Sequence, residues 1–263
     1  MSEYQEEKAP SLTTVANFRD VARNPWPMIS TWQLPGKHES DYTYQYPDLI
    51  ASTSILGLRL YYIGLGGPQY GKYVASQIGF WDKAKAFAEI AFMPQSGVKT
   101  WRQLVDARMC QERMAIPEAI IDHSFTQIKA IFNILTGPSS YPVLILNNYG
   151  TDFVSLIVSL VLFALDTDTA SIHRDYMQTY EELAGSKQKR LAYNRGLGIT
   201  NDSLVEPYLP FVSSLDKYIR DKHGDIEQYL WKIGITQSEL QTLRDTLHSG
   251  LESSEEREWL VDL

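Results

Sequence analysis

The sequence predicts an α/β fold, a central sheet flanked by helices with a helical C-terminal part. Three observations carry that expectation. Tyr141-Pro-Val-Leu-Ile-Leu146 is a short aliphatic run that follows the turn signal Gly137-Pro-Ser-Ser140, the pattern of a buried central strand. Residues 153–165, FVSLIVSLVLFAL, are apolar except for Ser155 and Ser159, which marks a helix buried on nearly every face. Beyond residue 168 the apolar positions recur at helical spacing almost to the end of the chain.

Taken in order, residues 1–10 carry Glu3, Glu6, Glu7 and Lys8 without an apolar stretch, so they read as an acidic tail with no secretory signal. Residues 23–79 are rich in Tyr, Pro and Gly and read as loops with one strand, 58–63. Residues 81–93 form an amphipathic helix that Pro94 ends. Residues 119–135 place Ile120, Ile121, Phe125, Ile128, Ile131, Phe132 and Leu135 at helical period, so one helix is expected there to pack on the sheet. Further helices are expected over 169–184, 207–222, 225–232 and 237–247. In the last of these Thr236 caps the helix and Glu239 completes a capping box. No internal repeat or low-complexity linker divides the chain. A single domain over 11–250 is therefore expected, between the acidic tails 1–10 and 251–263.

Composition narrows the classes of function. The chain has 263 residues, 44% hydrophobic and 21% charged, which is ordinary for a globular protein. An aromatic share of 12% suggests aromatic-lined surfaces or pockets. The net charge of −8 resides largely in the two tails, and the nearly balanced body shows no basic stripe, so nucleic acid is not an expected partner. The apolar run 153–165 is shorter than the ~20 residues of a membrane span, so no membrane partner and a cytoplasmic location are expected. The single cysteine, Cys110, excludes an internal disulfide, and the five His are scattered without ligand spacing, so neither a metal nor a cofactor is expected. His173-Arg-Asp175 lacks the residues that would make it a kinase catalytic loop, and Gly64-Leu-Gly-Gly67 reads as a turn.

Between the expected strand and the buried helix lies Asn147-Asn-Tyr-Gly-Thr-Asp152. A loop in that position brings backbone N–H groups and a helix N-terminus to one point. Here the sequence resembles the tyrosine-phosphatase superfamily, in its branch of bacterial and fungal tyrosine/serine phosphatases. That branch carries a strand, then His-Cys-x-Ala-Gly-Lys-Asp-Arg-Thr-Gly, then an apolar helix. Leu146 falls at the family's His, Asn147 at its nucleophilic Cys, Gly150 at its Gly and Thr151 at its Lys. Asp152 falls at the loop Asp, Phe153 at the phosphate-binding Arg and Ser155 at the last Gly. Asn17-Phe-Arg-Asp-Val21, Asp175-Tyr176 and the stretch from His223-Gly-Asp-Ile-Glu-Gln-Tyr-Leu230 through Gly234-Ile-Thr236 to Leu243 are similar to further family signatures, in family order. The resemblance implies a tyrosine-phosphatase-like central sheet, although residues 23–60 hold neither the Tyr-Arg-Ser nor the Asp-Leu-Arg of its early strands.

The departures bear directly on chemistry. The family's reaction needs a thiolate nucleophile and an Arg clamping two phosphate oxygens; an amide at 147 and a phenyl ring at 153 supply neither. Cys110 is no substitute, because Ala115 and Ile116 stand where the following Arg would be. The expectation is a degenerate member of the family without Cys-dependent phosphatase activity. Its pocket is expected to bind or transform a neutral small molecule without a cofactor, by isomerase, cyclase or lyase chemistry. In that reading Asp152, Asn147 and Asn148 are the candidate catalytic residues, and Tyr149, Gly150, Thr151 and Phe153 line the ligand. Each has a plain structural alternative: Asn147 and Asn148 as turn formers, Tyr149 as packing, Asp152 as a carboxylate favoured by the helix dipole. The rival function is a non-catalytic pseudophosphatase that binds a protein partner; an active phosphatase stands third.

Overall fold

The computed structural model describes residues 50–55, 58–137, 143–147, 151, 153–196 and 198–258. Strands β1 (Ile50–Ile55) and β2 (Leu58–Ile63) pair antiparallel, Ile50 opposite Ile63 and Ile55 opposite Leu58. The expected strand 58–63 is β2. This hairpin is the whole of the sheet among the described residues.

That finding corrects the predicted α/β architecture: no central sheet flanked by helices is present among the described residues, and the core is built helix on helix. Residues 143–146, the described part of the expected central strand 141–146, carry no strand and lie outside the sheet. Val143 and Ile145 lean on the core while Leu144 and Leu146 are 43% and 38% exposed. The run therefore drapes one side chain in two over the helices. A short apolar run specifies burial of some of its side chains, and it cannot by itself say what covers them.

Eleven α-helices follow in the described residues. α1 (Pro68–Gln77) begins with Pro in its first turn. α2 (Phe80–Phe92) and α3 (Pro94–Met109) form a helical hairpin, and Pro94 both ends α2 and opens α3, since a first-turn Pro lacks only an N–H the helix would not use. The two helices close tightly at Gly97, where a Cβ would fall 2.2 Å from the Ile90 nitrogen. The single helix expected over 119–135 is two, α4 (Ala115–His123) and α5 (Phe125–Leu135). They break at Ser124, whose buried hydroxyl donates to the Leu65 carbonyl.

α6 (Phe153–Ala164) is the buried helix the sequence announces, with Val154, Leu156, Ile157, Leu160, Val161 and Phe163 all inside. α7 (Thr169–Glu182) starts at Asp168, whose carboxylate accepts from Ser171 N at 2.9 Å. α8 (Lys187–Gly196) and a 3-10 turn at Asp202–Val205 lead to α9 (Phe211–His223), α10 (Ile226–Lys232) and α11 (Gln237–Glu258). Gly224 and Gly234, at φ +90° and +91°, turn the chain out of α9 and α10 in a conformation L side chains rarely adopt. The capping box at α11 forms as its spacing predicts: Glu239 accepts from Thr236 N at 2.7 Å, and Glu239 N donates to Thr236 Oγ1 at 3.2 Å. Around α6 the main core joins Ile120 and Ile121 of α4, Ile128 and Phe132 of α5, Leu215 and Ile219 of α9, and Tyr229 and Leu230 of α10.

Candidate functional site

The site is built where the segment 143–147 approaches the first turn of α6. Asn147 is half-buried, and its Nδ2 donates to the Thr151 carbonyl at 2.8 Å. The same carbonyl accepts from Val154 N at 3.2 Å. One oxygen therefore ties Asn147 to the start of the helix, and the Asn147 amide acts as a clasp between them. Thr151 is buried, and Phe153 is half-buried against the main core. In the same turn the buried Ser155 hydroxyl has no hydrogen-bond partner among the described residues.

Three of the residues singled out in the sequence are thus brought together: Asn147, Thr151 and Phe153. Asn148, Tyr149, Gly150 and Asp152 lie outside the described residues, as does Asn17-Phe-Arg-Asp-Val21. None of the three described side chains is cationic, and the chain positions of the family's Lys and Arg point toward packing. Cys110 is buried just past the end of α3, its carbonyl accepting from Asn201 Nδ2 at 2.7 Å, and stands far from Asn147 in the sequence. No group of three or more His, Cys, Asp or Glu side chains gathers to hold a metal among the described residues. No helix among them is long and apolar enough to cross a membrane.

Sequence reasoning missed a polar network under α9. Asp122 of α4 accepts from Tyr218 Oη at 2.7 Å and from Lys222 Nζ, and its other oxygen lies 3.5 Å from His223 Nε2. Lys232 of α10 approaches the far side of the imidazole, Nζ to Nδ1 3.4 Å. Burial pushes the Asp122 carboxyl up, but the hydrogen bonds from Lys222 and Tyr218 outweigh it and hold the group below its ordinary value. Burial, with Lys232 beside it, lowers His223, so its neutral form is favoured. Burial also raises the Tyr218 phenol to about 12. The network pins α4 to α9 and α10. Asp122 and His223 stand too far apart in the chain for any spacing rule to link them.

A sequence model of the tyrosine phosphatase family matches residues 86–249. The match takes in α3 to most of α11, including the Asn147 loop, Asp175-Tyr176 and the turn at Gly234. No curated protein matches the chain.

Proposed function

The chain belongs to the tyrosine phosphatase family, and from that premise we propose that it lacks Cys-dependent phosphatase chemistry and has turned the former phosphate loop to a neutral small molecule. The observation that carries the reading is the character of the loop where it meets α6. The position of the nucleophile holds an amide that clasps the Thr151 carbonyl, and the position of the anion clamp holds a phenyl ring packed on the core. A phosphate dianion placed there would lose its water without gaining a cation, a large desolvation cost. An uncharged ligand loses little.

In this reading the loop N–H groups and the N-terminus of α6 face a ligand carbonyl and stabilise negative charge as it develops. Tyr149, Gly150, Thr151 and Phe153 shape an apolar wall, and Ser155 offers a hydroxyl not yet engaged by described residues. Asn147 and Asn148 orient the ligand, and Asp152 moves a proton. A pair of well-placed donors is worth about 3–4 kcal/mol of barrier, enough to assist an isomerase, cyclase or lyase reaction with no covalent intermediate. The protein would work in the cytoplasm.

The test has two arms. Turnover of p-nitrophenyl phosphate should equal that of buffer, and turnover that survives Cys110→Ser would overturn the loss of phosphatase chemistry. Native mass spectrometry after incubation with a metabolite extract should show a bound small molecule. Asn147→Ala, Asn148→Ala and Asp152→Asn should each weaken its retention while circular dichroism stays unchanged. Wild-type retention in all three would place the function elsewhere on the protein.

The clasp itself favours a second reading, a non-catalytic pseudophosphatase that serves as a protein-binding module. An Asn147 amide spent on the Thr151 carbonyl holds the loop's shape instead of presenting that N–H to a ligand. No retained small molecule, together with a protein partner whose capture fails in Asn147→Ala, would select this reading.

A further inference from the structure

α2 presents its apolar face outward. At 100° per residue Phe80, Trp81, Phe87 and Phe92 share one face with Ala84, Ala88 and Ala91, and all seven are exposed, Trp81 at 82% and Phe92 at 86%. The opposite face, with buried Ala86 and half-buried Glu89 and Ile90, packs on α3, and at the border of the stripe the Phe87 ring, itself 58% exposed, meets Trp101 of α3 at 5.7 Å between centroids. Lys83 and Lys85 fall on the two edges of the exposed stripe.

The charge of the hairpin runs against the rest of the molecule, with Lys83 and Lys85 at the stripe and the other cations on α3. The α2–α3 hairpin carries five cations, Lys83, Lys85, Lys99, Arg102 and Arg108, against three acids, in a chain of net charge −8. Two of the acids are engaged internally: Glu89 accepts from Thr100, and buried Asp106 accepts from Thr200 N and Oγ1 at 3.0 and 2.8 Å. An aromatic, alanine-smoothed stripe edged by lysines lets the rings enter an apolar layer while the ammonium groups stay at its surface.

We propose that α2 seats this face in the headgroup–acyl boundary of an anionic bilayer, so that the protein lies on the membrane surface. The sequence expectation of no membrane partner rests on spanning length, whereas a surface contact asks only for a face. A second copy of the chain fits less well. Two α2 stripes packed together would bring the lysine edges of one against those of the other, with no free acid on the stripe to answer them. The cytoplasmic leaflet, rich in anionic lipid, meets the charge condition.

Co-sedimentation of the full chain with vesicles of phosphatidylcholine and phosphatidylserine tests the proposal, with phosphatidylcholine alone as reference. Binding to the anionic vesicles is expected, weakened by high salt. The double variant Phe87→Glu, Phe92→Glu should weaken it by roughly tenfold or more, and Lys83→Glu or Lys85→Glu by roughly fivefold each. All four side chains lie on α2 outside the core, and circular dichroism checks the fold; Trp81→Ala with Phe92→Ala is the milder pair should the glutamates disturb it. Failure to bind anionic vesicles, equal binding to phosphatidylcholine alone, or binding indifferent to the face variants would each overturn the proposal. So would a concentration-dependent dimer, abolished by the face variants, in a chain that ignores vesicles; that result would assign the stripe to a second copy.

Discussion

Leu160→Ala probes the element on which the candidate site depends. Leu160 sits in the middle of α6 with 0% exposure, inside the cluster that α4, α5, α9 and α10 close from several sides. Truncation loses the transfer free energy of the removed carbons and leaves a cavity. The side chains of α4, α5, α9 and α10 packed around it relax only partly into the space, which places the cost at ~3–5 kcal/mol. At roughly 2–4 °C per kcal/mol for a domain of this size, ~3–5 kcal/mol should lower Tm by roughly 6–20 °C. In urea the midpoint should drop with the m-value unchanged, as expected when only the native state has weakened. Leu209→Ala is the control, because Leu209 is 61% exposed and its truncation should stay within about 0.5 kcal/mol. A Leu160→Ala protein within ~1 kcal/mol of wild type, or no better separated from wild type than Leu209→Ala, would refute the assignment of α6 as the centre of the core.

Two further outcomes follow from other parts of the fold. His223 is held below its ordinary value of 6.5 in the folded state by burial and by Lys232, so the unfolded chain binds the extra proton first. Stability is then full above about pH 6.5 and falls as the pH drops below it. Asp122, also lowered, adds a second loss of the same sign as the pH falls below its ordinary 3.8 and through its folded value. Urea midpoints measured across pH should show the upper limb in wild type and lose it in His223→Gln. Gly97→Ala should push α2 off α3, since the new carbon would meet the Ile90 backbone, at a cost of ~1–3 kcal/mol by overpacking, read as a lower Tm.

Local signals survived the passage from sequence to structure better than long-range ones. α6 was legible because thirteen consecutive residues with only two serines leave no polar face for solvent. The Thr236–Glu239 box was legible because a cap is a contact between neighbours in the chain. The break at Ser124 was not, because the partner that draws its hydroxyl out of the helical pattern, the Leu65 carbonyl, lies on a distant segment. α1, α3 and α8 were passed over, α1 among the Gly and Tyr residues that suggested loops and α3 behind a Pro taken only as a stop. The central sheet was inferred from one apolar run. Its described residues alternate between the core and solvent without a pairing strand, so the burial was half right and the architecture wrong. At the site, the chemistry expected of the loop rests on the resemblance at Asn147 and Phe153, whereas the clasp between Asn147 and the Thr151 carbonyl needed coordinates.

The attachment of the α2–α3 hairpin has a consequence for how the molecule breathes. α2 rests chiefly on α3, and α3 is hydrogen-bonded to the body at its C-terminal end, where Asp106 accepts from Thr200 and the Cys110 carbonyl accepts from Asn201. The hairpin can therefore swing or unravel from its Pro94 tip without opening the core around Leu160. Its backbone amides should exchange with solvent through this partial opening, at a free-energy cost well below that of global unfolding, while those of α6 exchange only when the whole cluster comes apart. Two grades of protection are therefore expected in one chain, high in α6 and low in the α2–α3 hairpin.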